Sequence, residues 1–198
     1  SSAASDVYKR QELGYVIKLV GDVREVESGI SAEVSPTFLP KNHPLASVND
    51  VMNAVFVESI GIGESMYYGP GAGQKPTATS VLADIIRIAR RLSDGNVGKP
   101  FNEFRRDLPL ANPADVKSNY YFALDTPDEK GKILHLSEIF NSEDISFEQV
   151  LQQKANGTTA RIVVITHAMS KTQLKAVTEK LEAAEDFTVV NTLKVLSN

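Results

Sequence analysis

Three observations predict an α+β fold in two parts. A glycine-rich run, Gly69-Pro70-Gly71-Ala72-Gly73, feeds straight into a stretch with helical periodicity. Residues 93–117 then hold Gly95, Gly98, Pro100, Pro109 and Pro113 with no sustained periodicity, which reads as a linker or an irregular connection. Beyond residue 118, strand and helix patterns alternate in a ferredoxin-like βαββαβ order, with both helices on one face of a sheet. The boundaries that follow are a first domain over 1–93, a linker over 94–117 and a second domain over 118–198.

In the first part, residues 6–13 read as the tail of a helix closed by Gly14. Residues 15–26 and 29–38 form a predicted pair of strands around a Ser28-Gly29 turn, and residues 53–58 form another. Pro76 suits the first turn of the next helix, where its missing N–H is no loss and its φ is already helical. Val81, Leu82, Ile85, Ile86, Ala89 and Leu92 then make an apolar stripe at helical spacing, while Arg87, Arg90 and Arg91 point elsewhere as a solvated face. Free N–H groups and the positive end of the helix dipole make such a start a seat for a phosphate or a carboxylate. The loop matches neither standard phosphate signature: its spacing is G-x-G-x-G, and Lys75 stands between Gln74 and Pro76. On spacing alone a tight turn and a ligand contact are equally good readings.

Composition narrows the function classes. The chain has 198 residues, 42% of them apolar, enough to fill a core. Zero cysteines exclude disulfides and thiolate metal sites. A net charge of -4 with scattered basic residues argues against a nucleic-acid partner. No apolar run approaches bilayer length and no signal peptide opens the chain, so no membrane partner and a cytoplasmic location are expected. His43, His135 and His167 are too widely spaced for a metal site, and none is expected. His167 reads instead as a strand-end hydrogen-bonding residue. Glu58, Glu64 and Asp84 lack a partner at a telling spacing for acid/base chemistry, and Asp84 reads as a structural contact.

The order of His43-Pro44-Leu45-Ala46, Asn53-Ala54-Val55-Phe56-Val57, Gly69-Pro70-Gly71-Ala72-Gly73, Pro76-Thr77-Ala78 and Ala83-Asp84-Ile85 resembles homoserine dehydrogenase, in its C-terminal part. The match runs over about residues 14–92, and Leu13-Gly14-Tyr15-Val16-Ile17-Lys18-Leu19 resembles the family's strand entry into this region. The resemblance implies the end of a catalytic and dimerisation domain, with Gly69, Gly71 and Gly73 against an NADP or NAD cofactor. That family interconverts aspartate semialdehyde and homoserine in threonine and methionine biosynthesis. Its dinucleotide fingerprint, its acidic homoserine-binding residues and its catalytic lysine all lie upstream of the matched part. No catalytic residue is therefore expected between Ser1 and Asn198, and the chain reads as an inactive fragment that associates at least as a dimer.

The second part is read residue by residue. Strands are expected at 120–124, 145–151, 162–165 and 187–196. One helix covers 132–141 with Ile133, Leu136, Ile139 and Phe140 inward. Another opens on a Ser170/Gln173 capping box and shares Leu174, Val177 and Leu181 on one face. Leu124-Asp125-Thr126-Pro127, Gly131 before Ile133-Leu134, residues 145–150 and Ile165-Thr166-His167 resemble an ACT domain, a regulatory module of amino-acid metabolism. The resemblance implies an effector site at Asp125, Gly131, Ile133 and Leu134, with threonine as the first candidate effector. Asp128, Glu129 and Lys130 make the loop longer and more charged than the family's short Asp-x-Pro-Gly turn. Two alternatives stand beside this reading. One is a stand-alone amino-acid-binding ACT protein that regulates or dimerises without catalysis, and the other is an unrelated phosphate-binding protein built on the glycine loop.

Overall fold

The computed structural model describes residues 14–95 and 106–196, and within the latter the side chains of 153–156 are not described. The helix tail expected over 6–13 and the middle of the expected linker, 96–105, lie outside the described residues. The rest is a mixed α+β chain with three α-helices among the described residues. Its strands are β1 (Tyr15–Val26), β2 (Gly29–Pro40), β3 (Met52–Ser59), β4 (Gly63–Pro70), β5 (Lys117–Pro127), β6 (Phe147–Asn156), β7 (Thr159–Thr166), β8 (Met169–Ser170) and β9 (Thr188–Val195). The helices are α1 (Gln74–Ser93), α2 (Lys132–Asn141) and α3 (Lys171–Ala183), and a short 3-10 turn spans Pro44–Ser47. Contacts group the chain into two compact units, Ser1–Lys41 with Leu108–Asn198, and Asn42–Asp107.

That grouping differs from the division at 93/94 and 117/118 that local composition suggests. The reason is a strand pairing that no local pattern encodes. In the larger unit the sheet runs β1-β2-β9-β5-β7-β6, with β8 on β5. The β5, β6, β7 and β9 strands pair antiparallel in the ferredoxin-like order, and β2 then adds to β9 in parallel through Thr37↔Lys194 and Phe38↔Val195. The β1–β2 hairpin thus extends the C-terminal sheet. Its tip is tied to the C-terminal half of the expected linker: Ile30 N–H donates to Pro109 O at 2.8 Å, Ala111 N–H to Ile30 O at 2.9 Å, and Asn112 N–H to Ser28 Oγ at 2.8 Å.

Alternation along β5 builds two cores from one strand. Tyr120, Phe122 and Leu124 face the helices, where they meet Leu136 and Phe140 of α2 and Val177 and Leu181 of α3. Tyr121 and Ala123 face the other way, onto Phe38, Val163, Ile165 and Val195. Phe38 sits edge-on to Tyr121 at 4.6 Å and stacks on Tyr15 at 5.9 Å, so both strands of the hairpin reach the second core near its open end. α3 opens on the expected capping box: Gln173 N–H donates to Ser170 Oγ at 3.1 Å, and Ser170 N–H to Gln173 Oε1 at 2.9 Å. Ile133, expected inward, is instead exposed, and the buried residues of α2 are Leu136 and Phe140.

The hairpin is polar inside and apolar outside. Leu19, Val23 and Val34 are all at least 72% exposed on one face, around Gly21. The opposite face carries Asp22, Arg24 and Glu33 into a charge network. Lys194 of β9, 6% exposed, bonds both Asp22 and Glu33, and Lys171 at the start of α3 pairs with Glu33. Arg24 pairs with Asp22 at 2.9 Å and donates to Lys117 O and Ser118 Oγ of β5, each at 3.0 Å. Burial alone would raise the Glu33 carboxyl, but hydrogen bonds from Lys171 and Lys194 outweigh it and hold the group below its ordinary 4.5.

In the smaller unit, β3 and β4 form an antiparallel hairpin from Met52↔Pro70 to Ser59↔Gly63. The sequence reading includes β3 and misses β4. The Glu64-Ser65-Met66-Tyr67-Tyr68 run between glycines, rich in β-formers, is the signal that would have found it. α1 holds no buried residue, and Val81, Leu82, Ile85, Ile86 and Leu92 of its apolar stripe are 44–57% exposed.

Candidate functional site

Two places collect the expected site residues, one in each unit. In the smaller unit the register aligns Asn53 of β3 with Gly69 of β4, and Gly71 N–H donates to Val51 O at 2.9 Å. The loop is therefore pinned to the start of β3 before it turns into α1. Gly73 is the N-cap of α1 with φ 127 and no side-chain cap, a backbone position that suits glycine. A Cβ added at Gly69 would meet nothing within 4 Å. The space beside Gly69 is open, and the first N–H groups of α1 have no capping side chain. Pro76 falls in the first helical turn, as expected.

His43, Asp84 and His167 each play a structural part within their own unit. His43 caps the 3-10 turn: its Nδ1 accepts from Leu45 N–H at 3.1 Å, and its ring lies 5.0 Å from that of Phe56. Burial pushes the imidazole pKa down from its usual 6.5, which favours the neutral acceptor that this cap requires. Asp84 pairs with Arg87 at 3.5 Å, one turn along an exposed helix face. The backbone N–H of His167 bonds Ser146 O at 3.0 Å, just past the end of β7. Among the described residues no group of three His, Cys, Asp or Glu could hold a metal ion.

In the larger unit an open cleft forms at the start of α2, lined by residues 128–134 and by Gln152 of β6. It brings Gly131, Ile133 and Leu134 together. Gly131, with φ 89, is the N-cap of α2, and no side chain caps that helix end. Asp125 is not part of the lining. Its carboxylate makes a two-pronged pair with Arg161 of β7, Nε to Oδ1 at 2.8 Å and NH2 to Oδ2 at 3.0 Å. Arg161 is 8% exposed, so this pair fastens β5 to β7 where the two strands stand in register.

Lys132, in the cleft lining, pairs with Glu129 at 3.3 Å and with Asp186 at 3.2 Å, and His135 Nδ1 meets the same Asp186 carboxylate at 2.9 Å. Burial works to raise Asp186, but the hydrogen bonds from His135 and Lys132 prevail and keep it below the ordinary carboxylate range. This cluster spans from α2 to the α3–β9 connection. Sequence reading did not find it, because its members lie 51 and 54 residues apart.

The geometry defines a class: an α+β chain with a ferredoxin-like sheet in one unit and, in the other, a glycine loop opening a helix. Comparison with known proteins then gives one specific relation. Residues 1–86 match the protein family described as homoserine dehydrogenase. The chain is 60% identical over 194 residues to the homoserine dehydrogenase of Lactococcus lactis, covering 98% of this chain and 45% of that protein. It is 34% identical over 182 residues to the homoserine dehydrogenase of Bacillus subtilis, covering 91% of this chain and 42% of that protein. Among solved structures, a homoserine dehydrogenase from Thiobacillus denitrificans superposes with a TM-score of 0.88 at 29% identity, over 98% of this chain and 45% of that one. The chain thus spans less than half the length of the relatives it matches, and it is similar to one part of homoserine dehydrogenase. None of its described helices is long and apolar enough to cross a membrane.

Proposed function

We propose that this chain is the portion of a cytoplasmic homoserine dehydrogenase that supplies the glycine loop beside the cofactor, followed by an ACT-type regulatory module. The observation that carries the reading is 60% identity to a homoserine dehydrogenase across nearly the whole chain. The parent reaction interconverts aspartate semialdehyde and homoserine, and NADP or NAD supplies the hydride exchange when bound. The loop of Gly69, Gly71 and Gly73 would hold the cofactor through its backbone. The open space at Gly69 and the uncapped N–H groups of α1 fit a group that lies close to the backbone. With the proton-handling residues elsewhere, the chain alone is inactive.

The ferredoxin-like order of the larger unit supports the regulatory half of the reading. In the cleft at the start of α2, the uncapped N–H groups behind Gly131 suit the carboxylate of an amino acid such as threonine, and Ile133 and Leu134 suit its side chain. An effector bound there regulates only through a difference in affinity between two assembly states. The exposed apolar residues on the outer face of the β1–β2 hairpin support association, at least as a dimer.

Gly69→Ala in the complete enzyme tests the cofactor half. The added methyl meets nothing in this chain, so stability is expected to hold while the KM for the cofactor rises about tenfold. An unchanged KM would remove the loop from the cofactor site. Turnover of homoserine by this chain alone, with either nicotinamide cofactor, would overturn the assignment of the chemistry to another part of the enzyme.

A further inference from the structure

Three glycines share one loop, and the structure gives them three different surroundings. Gly69 faces open space, and Gly73 needs its φ of 127. Gly71 is unlike both. A Cβ built on it would fall inside the carboxamide of Asn53, on Nδ2 and Cγ, and 3.0 Å from Oδ1. The Asn53 side chain thus occupies the place that a side chain at 71 would take.

We propose that Asn53 is a positioning residue of the glycine loop, and that Gly71 is glycine to admit Asn53 rather than to admit the cofactor. The inference rests on reading this loop as part of the cofactor site. Two backbone restraints bring the partners together: the Asn53↔Gly69 register of the β3–β4 hairpin, and the hydrogen bond from Gly71 N–H to Val51 O. The chain therefore stays against the start of β3 just past the end of β4, and the exposed Asn53 carboxamide lies where a Cβ at 71 would stand. Asn53 makes no side-chain hydrogen bond among the described residues, so its effect on the loop is one of occupied volume. Any side chain at 71 requires Asn53 to take another rotamer and leave its place against the loop. Removing the carboxamide vacates the space that an alanine at 71 would need.

The test is a size exchange in the complete enzyme. Gly71→Ala is expected to raise the cofactor KM about tenfold with kcat at saturation unchanged, and Asn53→Ala to raise it about threefold. The double variant Asn53→Ala/Gly71→Ala is expected to return to within about twofold of Asn53→Ala, since the new methyl then has room. Exchange of the Gly71 amide hydrogen, measured without cofactor, should quicken in Asn53→Ala; this keeps the interlock testable if Gly71→Ala does not fold. A double variant as poor as Gly71→Ala, while Gly69→Ala still raises KM, overturns the interlock and leaves the cofactor reading of the loop standing. A cofactor KM unmoved in every variant, Gly69→Ala included, overturns both.

Discussion

The two units treat their apolar residues in opposite ways. In the larger one, β5 is buried from Ser118 to Leu124 and supplies side chains to a core on each of its faces. In the smaller one, His43 is the only described residue that is buried, and the apolar stripe of α1 stays 44–57% exposed among the described residues. Both segments are patterned for burial, yet among the described residues only the sheet is covered. Periodicity reports that a face is to be covered and says nothing of what covers it. The outer face of the β1–β2 hairpin repeats the lesson inside the larger unit, since Leu19, Val23 and Val34 stay exposed while charged residues point inward.

The largest effect that would sharpen this contrast is a pair of truncations in the chain itself. Phe122 is fully buried, edge-on to Phe140 at 5.2 Å, and Phe122→Ala should cost about 3–5 kcal/mol in denaturant unfolding followed by near-ultraviolet circular dichroism. Ile85→Ser on α1, where the side chain is already 57% exposed, should stay within about 0.5 kcal/mol. Comparable losses at both positions would break the contrast.

A smaller effect is expected at the joint between hairpin and sheet. Lys194→Met keeps the packing of the stem but leaves Asp22 and Glu33 facing each other without their shared cation. The loss should be about 2 kcal/mol, because Lys171 still pairs with Glu33 and Arg24 with Asp22 while the bonds from Lys194 are gone. Hydrogen exchange should speed up in β1 and β2 before it does in β7. Uniform acceleration across the sheet would mean that the network does not hold the hairpin separately.

The smallest expected effect is a dependence on pH. Glu33 is held below its ordinary 4.5 in the fold, so the unfolded chain binds a proton there more readily. Its contribution is fully present above about pH 4.5 and is lost as pH falls through the lower folded value. Wild-type melting temperature should therefore drop over that acid window more than that of Glu33→Gln. Parallel curves would show that Glu33 contributes no stability through its charge.

Much of the fold is legible because it depends on neighbours in sequence. The capping box at Ser170 and Gln173, the stripe of Leu136 and Phe140, and the apolar run of β7 are each encoded within a few residues. The site is less legible. Gly131, Ile133 and Leu134 are adjacent in the chain and fall in one cleft, whereas Asp125 belongs to Arg161, which no local spacing reveals. Gly71 is visible as a glycine, but its reason lies in Asn53, across a hairpin whose second strand the periodicity did not show.

The sequence by itself determined the α+β class, the ferredoxin-like strand and helix order, the glycine loop at a helix start, and the likeness to homoserine dehydrogenase. Hydrophobic period, capping chemistry and ordered motifs are properties of short windows, and each window carries its own evidence. Tertiary structure alone decided that the β1–β2 hairpin joins β9 through two residue pairs, that Lys194 unites Asp22 and Glu33, and that the Asn53 carboxamide lies where a Cβ at Gly71 would stand. Lys194 lies 172 residues from Asp22 and 161 from Glu33. Over such distances only the folded chain, by closing its backbone ladders and pairing charges taken out of water, selects which residues meet.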